Sequence, residues 1–398
     1  MDDFPAGPAS SPEPRRRSLS VVIPVNNGGR DFERCLRRLR DSSHRDYELI
    51  VVDDGSTDNS AALAERFGAK VLHHPKPLGP AAARNSGAKE SSGSIVFFLD
   101  ADVAVHGDTL DRVVRRFETT TDLSALFGSY DDAPEAPGVV SRYRNLLHHF
   151  VHQQGDFIDD ARPVHTFWTG CGAIRRDLFL DLGGFDPERY RRPAIEDIEL
   201  GYRVHRSGGT ILLARDVQAT HLKRWSLYGV LKTDILCRGV PWMLLIKRMN
   251  LAETDLNVSR GQRASVLATG LGAVCLAASV VVPAMAVGWL VSLGVIGVLN
   301  RGFHRFLYRK RGLAFASAGF ALHYLYFWCC GISVVIALGL WHLAPRETVG
   351  RPISAGVRLD GAQRLGRTWR RPRWKRNVPS SQSSGRTADA PPSRKALP

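Results

Sequence analysis

Short β-branched apolar runs alternate with amphipathic stretches over the first hundred residues. Residues 19–25, LSVVIPV, form a continuous apolar run of the kind buried in a parallel sheet. The following DFERCLRRLRD sets Phe32, Cys35, Leu36 and Leu39 at i, i+3, i+4 and i+7, which predicts an amphipathic helix. YELIVVDDGSTD reads as a second strand ending in acids and turn residues, SAALAERFG as a helix closed by Gly68, and AKVLHH as a third strand. After a Pro/Gly loop, AAARNSGAKES predicts a helix and SIVFFLDAD a fourth strand. Strands alternating with helices imply a parallel sheet with right-handed crossovers, and ligands then bind beyond the carboxyl ends of the strands.

The pattern changes completely after residue 263. Residues 264–299 and 312–345 contain no Asp, Glu, Lys or Arg, and about 20 apolar residues suffice to cross a bilayer as a helix. Pro283 breaks the first run into 264–282 and 284–299, a candidate helical hairpin. Trp289, Trp328, Trp341, Tyr324 and Tyr326 are available as interfacial anchors. The 398 residues carry a formal charge of +15, of which +10 lies in 346–398 and +5 in 301–311, so the rest is near neutral. Positive charge that flanks apolar runs indicates a membrane surface rather than nucleic acid. Residues 1–18 are polar and Pro-rich without a signal-peptide core, so the N-terminal part is expected in the cytoplasm. The six cysteines form no C-x-x-C pair, in keeping with free thiols. Positive charge on both sides of 312–345 wants an even number of crossings, whereas run length favours three; two to four remain open.

Three of the four strands end in polar clusters: Asn26-Asn27, Asp53-Asp54 and Asp100/Asp102. On an extended strand Asp100 and Asp102 would point to one face, and two close carboxylates invite a hard cation with a substrate phosphate. A surface turn is the plain alternative. No G-x-G-x-x-G follows the first strand and no G-x-x-x-x-G-K-[ST] occurs, which argues against dinucleotide and P-loop folds.

With VVIPVNN, VVDDGSTD, GPAAARNSG, FLDADV, GGFD, IEDIELGYRV and HLKRW in this order, the chain from about 19 to 225 resembles the inverting family 2 glycosyltransferases. The resemblance implies a GT-A-type, Rossmann-like mixed α/β sheet over 19–262, with a nucleotide-binding half (19–130) and an acceptor half (131–262). A transmembrane region (263–345) and a basic tail (346–398) follow. It further implies a UDP-, GDP- or dTDP-linked sugar donor and Mg²⁺ or Mn²⁺. The apolar runs, and not the resemblance, lead to the expectation of a lipid-linked or glycan acceptor at the plasma membrane, with the catalytic domain on the cytoplasmic side.

Carried over residue by residue, the resemblance gives Asp54 as the acid on the nucleotide base, with Pro24 and Asn26 lining base and ribose. Arg84 and Asn85 lie beside the nucleotide, Asp100 approaches ribose or phosphate, and Asp102 and His221 are metal ligands. Asp197 matches the catalytic base, Glu196 orients the acceptor, and Arg224 and Trp225 belong to an H-x-x-R-W close to the Q-x-x-R-W of processive members. Each has a bland alternative: Asp54 a turn cap, Asp197 a helix N-terminal acid, His221 a structural histidine, Trp225 an interfacial anchor. Trp168 could stack on a sugar or fill the core. The first motif departs from P-x-Y-N-E, reading Pro24-Val25-Asn26-Asn27-Gly28, which leaves the nucleotide open. His221 in place of Gln argues against a processive polymerase. A soluble acceptor, or an inactive membrane scaffold on a transferase fold, are the other readings.

Overall fold

The computed structural model describes residues 18–251 and 259–343; the expectations for the two chain termini fall outside these residues. The alternation read from the sequence is present nearly residue for residue. Strand β1 (Leu19–Val25), helix α1 (Gly29–Arg40), β2 (Tyr47–Asp53), α2 (Ser60–Arg66), β3 (Lys70–His73), α3 (Pro80–Glu90) and β4 (Ile95–Leu99) follow in order. Helix α1 buries Phe32, Cys35, Leu36 and Leu39, the stripe its spacing predicts. Then come β5 (Val103–Val105), α4 (Thr109–Thr119), β6 (Leu123–Tyr130), α5 (Val139–His152), β7 (Ala161–Val164), β8 (Cys171–Arg175), α6 (Arg176–Asp181), α7 (Glu196–Arg206) and β9 (Thr210–His221).

The nine strands form one sheet in the order β3-β2-β1-β4-β8-β6-β9-β5, with β7 on β9. The first four are parallel, β8 runs antiparallel between β4 and β6, and β9 is parallel to β6. The sheet is therefore mixed, and its N-terminal half is the parallel part. One face packs on α1, α2 and α4 through Phe32, Leu63, Leu110 and Phe117. The other packs on α3, α6 and α7 through Ala81, Phe179, Leu200 and Val204. Covering both faces explains why the central strands are apolar throughout instead of alternating.

One local expectation is corrected. Asp100 and Asp102 do not lie on a strand: β4 stops at Leu99, and the chain turns over 100–102 with Val103 N donating to Asp100 O at 3.0 Å. The turn carries the chain away from β4 to the far edge, where Val103 pairs with His221 of β9. The two carboxylates consequently take different partners.

After β9 come α8 (Leu227–Lys232), a π-helical turn (Thr233–Gly239) and α9 (Val240–Met249). Helix α10 (Arg260–Ala278) and α11 (Ala286–Leu299) form a hairpin broken at Pro283, and α12 (Arg301–Leu343) is kinked at Gly312, φ 78°. Among the described residues only α12 is long and apolar enough to cross a membrane; α10 has 19 residues and starts before the expected 264–282, and α11, at 14 residues, is shorter than the expected 284–299. The basic first part of α12 rests on α5, where Phe303 and Leu307 pack with Tyr143, Leu146 and Leu147.

Candidate active site

The carboxyl ends of β1, β2 and β4 do meet at one edge. Asn26 Nδ2 donates to Asp54 O at 2.7 Å, and Asn27 Oδ1 accepts from Thr57 N at 2.8 Å and Asp58 N at 3.2 Å, lacing the loops after β1 and β2 together. Pro24 is on β1 beside them, paired in register with Val52. Asp54 is buried, and both of its oxygens already accept: His74 Nδ1 and Leu78 N reach Oδ1 at 2.6 and 2.9 Å, and Gly79 N reaches Oδ2 at 2.8 Å. Gly79 is required, since its φ is +97° and a Cβ would stand 2.1 Å from Arg191 O. A base contact from Asp54 must share or displace these bonds, so its visible work is to hold the 74–79 loop.

Arg84 on α3 is the hinge of the charge network. It is buried, and its guanidinium donates to Asp100 Oδ1 at 2.7 Å and to Glu196 Oε1 at 2.8 Å. Glu196, also buried, takes Ala194 N on its other oxygen at 2.9 Å. Its carboxylate therefore faces Arg84. Asn85 likewise spends its amide within the protein, exchanging 2.9 Å hydrogen bonds with Phe185 O and N and so fixing the GGFD loop.

Asp197, next along α7, is partly exposed and accepts from Thr169 N at 3.2 Å. Burial and the adjacent Glu196 charge push its carboxyl up to about 6, with Arg84 and the Thr169 amide opposing. A carboxylate so tuned is suited to take a proton near neutral pH.

Asp102 turns the other way. Its Oδ2 lies 3.7 Å from His221 Nε2 and 3.8 Å from Lys223 Nζ, and its backbone O accepts from Leu222 N. The His221 ring stacks on Tyr130 at 4.4 Å and 5°, and its Nδ1 lies 2.7 Å from Asn145 Oδ1 on α5. Asn145 Oδ1 can only accept, so Nδ1 carries the proton and Nε2 presents a lone pair beside Asp102. A carboxylate and an imidazole so oriented are donors that a divalent cation can use. No cluster of three or more His, Cys, Asp and Glu exists among the described residues. One carboxylate and one imidazole still suit a cation that draws its remaining ligands from phosphate and water. Asp100, held by Arg84, is not part of that pair.

Trp225 is tied down through its backbone, Trp225 N donating to Ser141 Oγ at 2.8 Å, while Lys223 Nζ sits 4.8 Å over its ring. Arg224 is exposed. Trp168 packs edge-on against Tyr130 at 4.8 Å and beside His148 at 4.6 Å, forming an aromatic wall between His221 and Thr169. Gly170 makes room for it, because a Cβ there would lie 2.3 Å from the indole.

Asn145, Tyr130 and Thr169 escape sequence reasoning, being ordinary residues on elements with no motif. Lys223 lies inside HLKRW and could have been singled out from it.

Residues 20–183 match Glycosyl transferase family 2. The chain is similar to a pre-mycofactocin glycosyltransferase of Mycobacterium tuberculosis, 30% identical over 240 residues covering 56% of this chain and 48% of that protein. It is also similar to glycosyltransferase AglE of Haloferax volcanii, 28% identical over 52% of this chain and 67% of that protein. The chain spans about half the length of the first of these relatives. A solved mannosyltransferase from Pyrobaculum calidifontis, in complex with GDP-Man and Mn²⁺, aligns over 82% of this chain and 87% of that one at 17% identity and TM-score 0.46, too low to bear on ligands. The match to the family model covers less than half of the chain, in its N-terminal part.

Proposed function

We propose that this protein transfers a sugar from a nucleotide-sugar donor to a lipid-linked or membrane-proximal acceptor, in one inverting displacement. The observation that carries the reading is the cluster in which buried Arg84 bridges Asp100 and Glu196 next to Asp197, whose carboxyl burial and Glu196 push up to about 6. In the reaction the acceptor hydroxyl attacks the anomeric carbon and gives its proton to Asp197. The bond to the nucleoside diphosphate breaks on the opposite face, and its electron pair leaves with the diphosphate. Asp102 and His221 would hold Mg²⁺ or Mn²⁺, which as a Lewis acid offsets the charge growing on the leaving group. Arg84 holds Asp100 and Glu196 by one hydrogen bond each.

Membrane attachment is part of the same proposal. Leu267, Leu271, Val274, Val280, Val281, Val287, Val298 and Val335 are strongly exposed on α10, α11, α12 and the hairpin tip, apolar exposure that water disfavours. Arg301, Arg305, Arg309, Lys310 and Arg311 begin α12 on the side packed against the catalytic domain, so positive-inside reasoning puts that domain in the cytoplasm.

The test is hydrolysis and transfer across a panel of nucleotide sugars, with membrane lipid extract as acceptor. Loss of transfer in D197N and D102N is expected; transfer at unaltered rates in either would overturn the site.

A further inference from the structure

A cavity of about 450 Å³ lies between the catalytic domain and the apolar helices. Helix α5 forms one wall, the π-helical turn and α9 a second, and α10 with α12 a third. Its volume falls within the roughly 300–1,000 Å³ of small-molecule pockets. Much of the lining is aliphatic or aromatic, Met243, Ile246, Val266 and Val334 among it.

Its charges are unevenly matched. Arg144 is committed to a two-pronged bridge with Asp234, one arm at 3.0 Å. Arg238, one π-helical turn further on, lines the same cavity and has no ion pair among the described residues. Two nitrogens of lining side chains, His148 Nδ1 and Trp242 Nε1, are buried without a hydrogen-bond partner among the described residues. Burial, His152 and Arg238 hold the His148 imidazole well below its ordinary pKa, so it does not add a second cation. An apolar chamber with a guanidinium and unmet polar atoms complements an amphiphile with an anionic head. π-Helical turns also recur at functional sites.

The chamber adjoins the chemistry. His148, on its wall, touches both Tyr130 (4.4 Å) and Trp168 (4.6 Å); Tyr130 stacks on His221, and Trp168 precedes Thr169, whose N donates to Asp197. The helix that lines it, α5, also supplies the Asn145 that orients His221.

We propose that this cavity binds the acceptor: a single-chain lipid phosphate, its phosphate on Arg238 and its hydrocarbon between α9, α10 and α12. The proposal rests on the transferase reading and names the acceptor class that the reading leaves open. The aromatic wall of His148 and Trp168 separates the phosphate from Asp197, so the accepting hydroxyl belongs to a group carried beyond that phosphate. Access for the tail is from the membrane side, past Val266 and Val334.

Equilibrium binding of radiolabelled farnesyl phosphate to the full chain in phosphatidylcholine nanodiscs tests this. Saturable binding is expected, with farnesol and inorganic phosphate each competing at least about tenfold less well than farnesyl phosphate, because neither satisfies both halves of the site. R238Q should weaken binding about tenfold or more and R238K much less. V334W, which fills the tail space, should abolish it, with thermal unfolding checked for each variant. Equal competition by farnesol, or wild-type binding in both R238Q and V334W, would overturn the proposal. Acceptor-free hydrolysis of nucleotide sugars, run in parallel, separates the two readings. Hydrolysis without lipid phosphate binding leaves the transferase standing and removes this inference; lipid phosphate binding without hydrolysis removes the transferase reading and with it the acceptor role, leaving only a lipid phosphate site.

Discussion

At the scale of residues, Arg84, Glu196 and Asp197 form one electrostatic unit. With the Asp197 carboxyl at about 6, the acidic limb of kcat/KM is expected near pH 6, since the base must be ionised to act. Glu196 raises that value and Arg84 lowers it, so E196Q should move the limb to lower pH and R84A to higher pH; an unmoved limb in both would exclude Asp197 as the titrating group. The stability consequence has a definite sign. The folded value lies above the ordinary 3.8, so ionising Asp197 works against folding as pH rises from about 4 to 6. D197N should therefore lose transfer by about 10²–10⁴-fold while melting no lower than the parent at pH 8. R84A should be costly in another way, about 3–5 kcal/mol, because it strands the buried Glu196 carboxylate and takes the partner of the partly exposed Asp100; thermal unfolding of R84A against R84K reads this out.

At the scale of elements, the decisive feature is the turn after β4. Had residues 100–102 continued as a strand, both carboxylates would share a face; the turn instead gives Asp100 to α3 and Asp102 to β9. Helix α5 then completes the metal-type site from a distance of 76 residues, through Asn145 and His221. Replacing Asn145 with Leu releases the His221 ring to the wrong tautomer, and Mn²⁺ affinity in the presence of UDP is expected to fall about 10–100-fold. Titration followed by the paramagnetic signal of free Mn²⁺ measures it, and unchanged affinity would remove His221 from the ligand set. The stripe on α1, the closing loops and the strand ends were readable because they depend on neighbours in sequence. Asn145, Tyr130 and Thr169 were not, because nothing local distinguishes them from core or turn residues.

At the scale of the whole molecule, the hairpin of α10 and α11 carries a prediction about how the protein meets a bilayer. At 1.5 Å per residue a 14-residue helix such as α11 spans about 21 Å, short of the roughly 30 Å hydrocarbon core. The hairpin tip is apolar, with Val280 and Val281 86% and 84% exposed, so it is suited to remain inside the hydrocarbon with both ends on one side. An environment-sensitive dye on V281C should show blue-shifted emission and quenching by acyl-chain labels; emission typical of water would place the tip outside the membrane.

The sequence by itself determined the alternation of strands and helices, the polar strand ends, the break at Pro283 and the motifs from 19 to 225, because periodicity, turn chemistry and chain order are local properties. It also held the residues Arg84, Asp102, Asp197 and His221, but not their pairing. Only the tertiary structure decided that Asp100 and Glu196 serve Arg84, that Asp54 is spent on its own loop, and that Asn145 sets the histidine. It also decided that a chamber opens between α5 and the apolar helices. Those outcomes depend on which side chains burial forces together, and burial couples residues that no spacing along the chain relates.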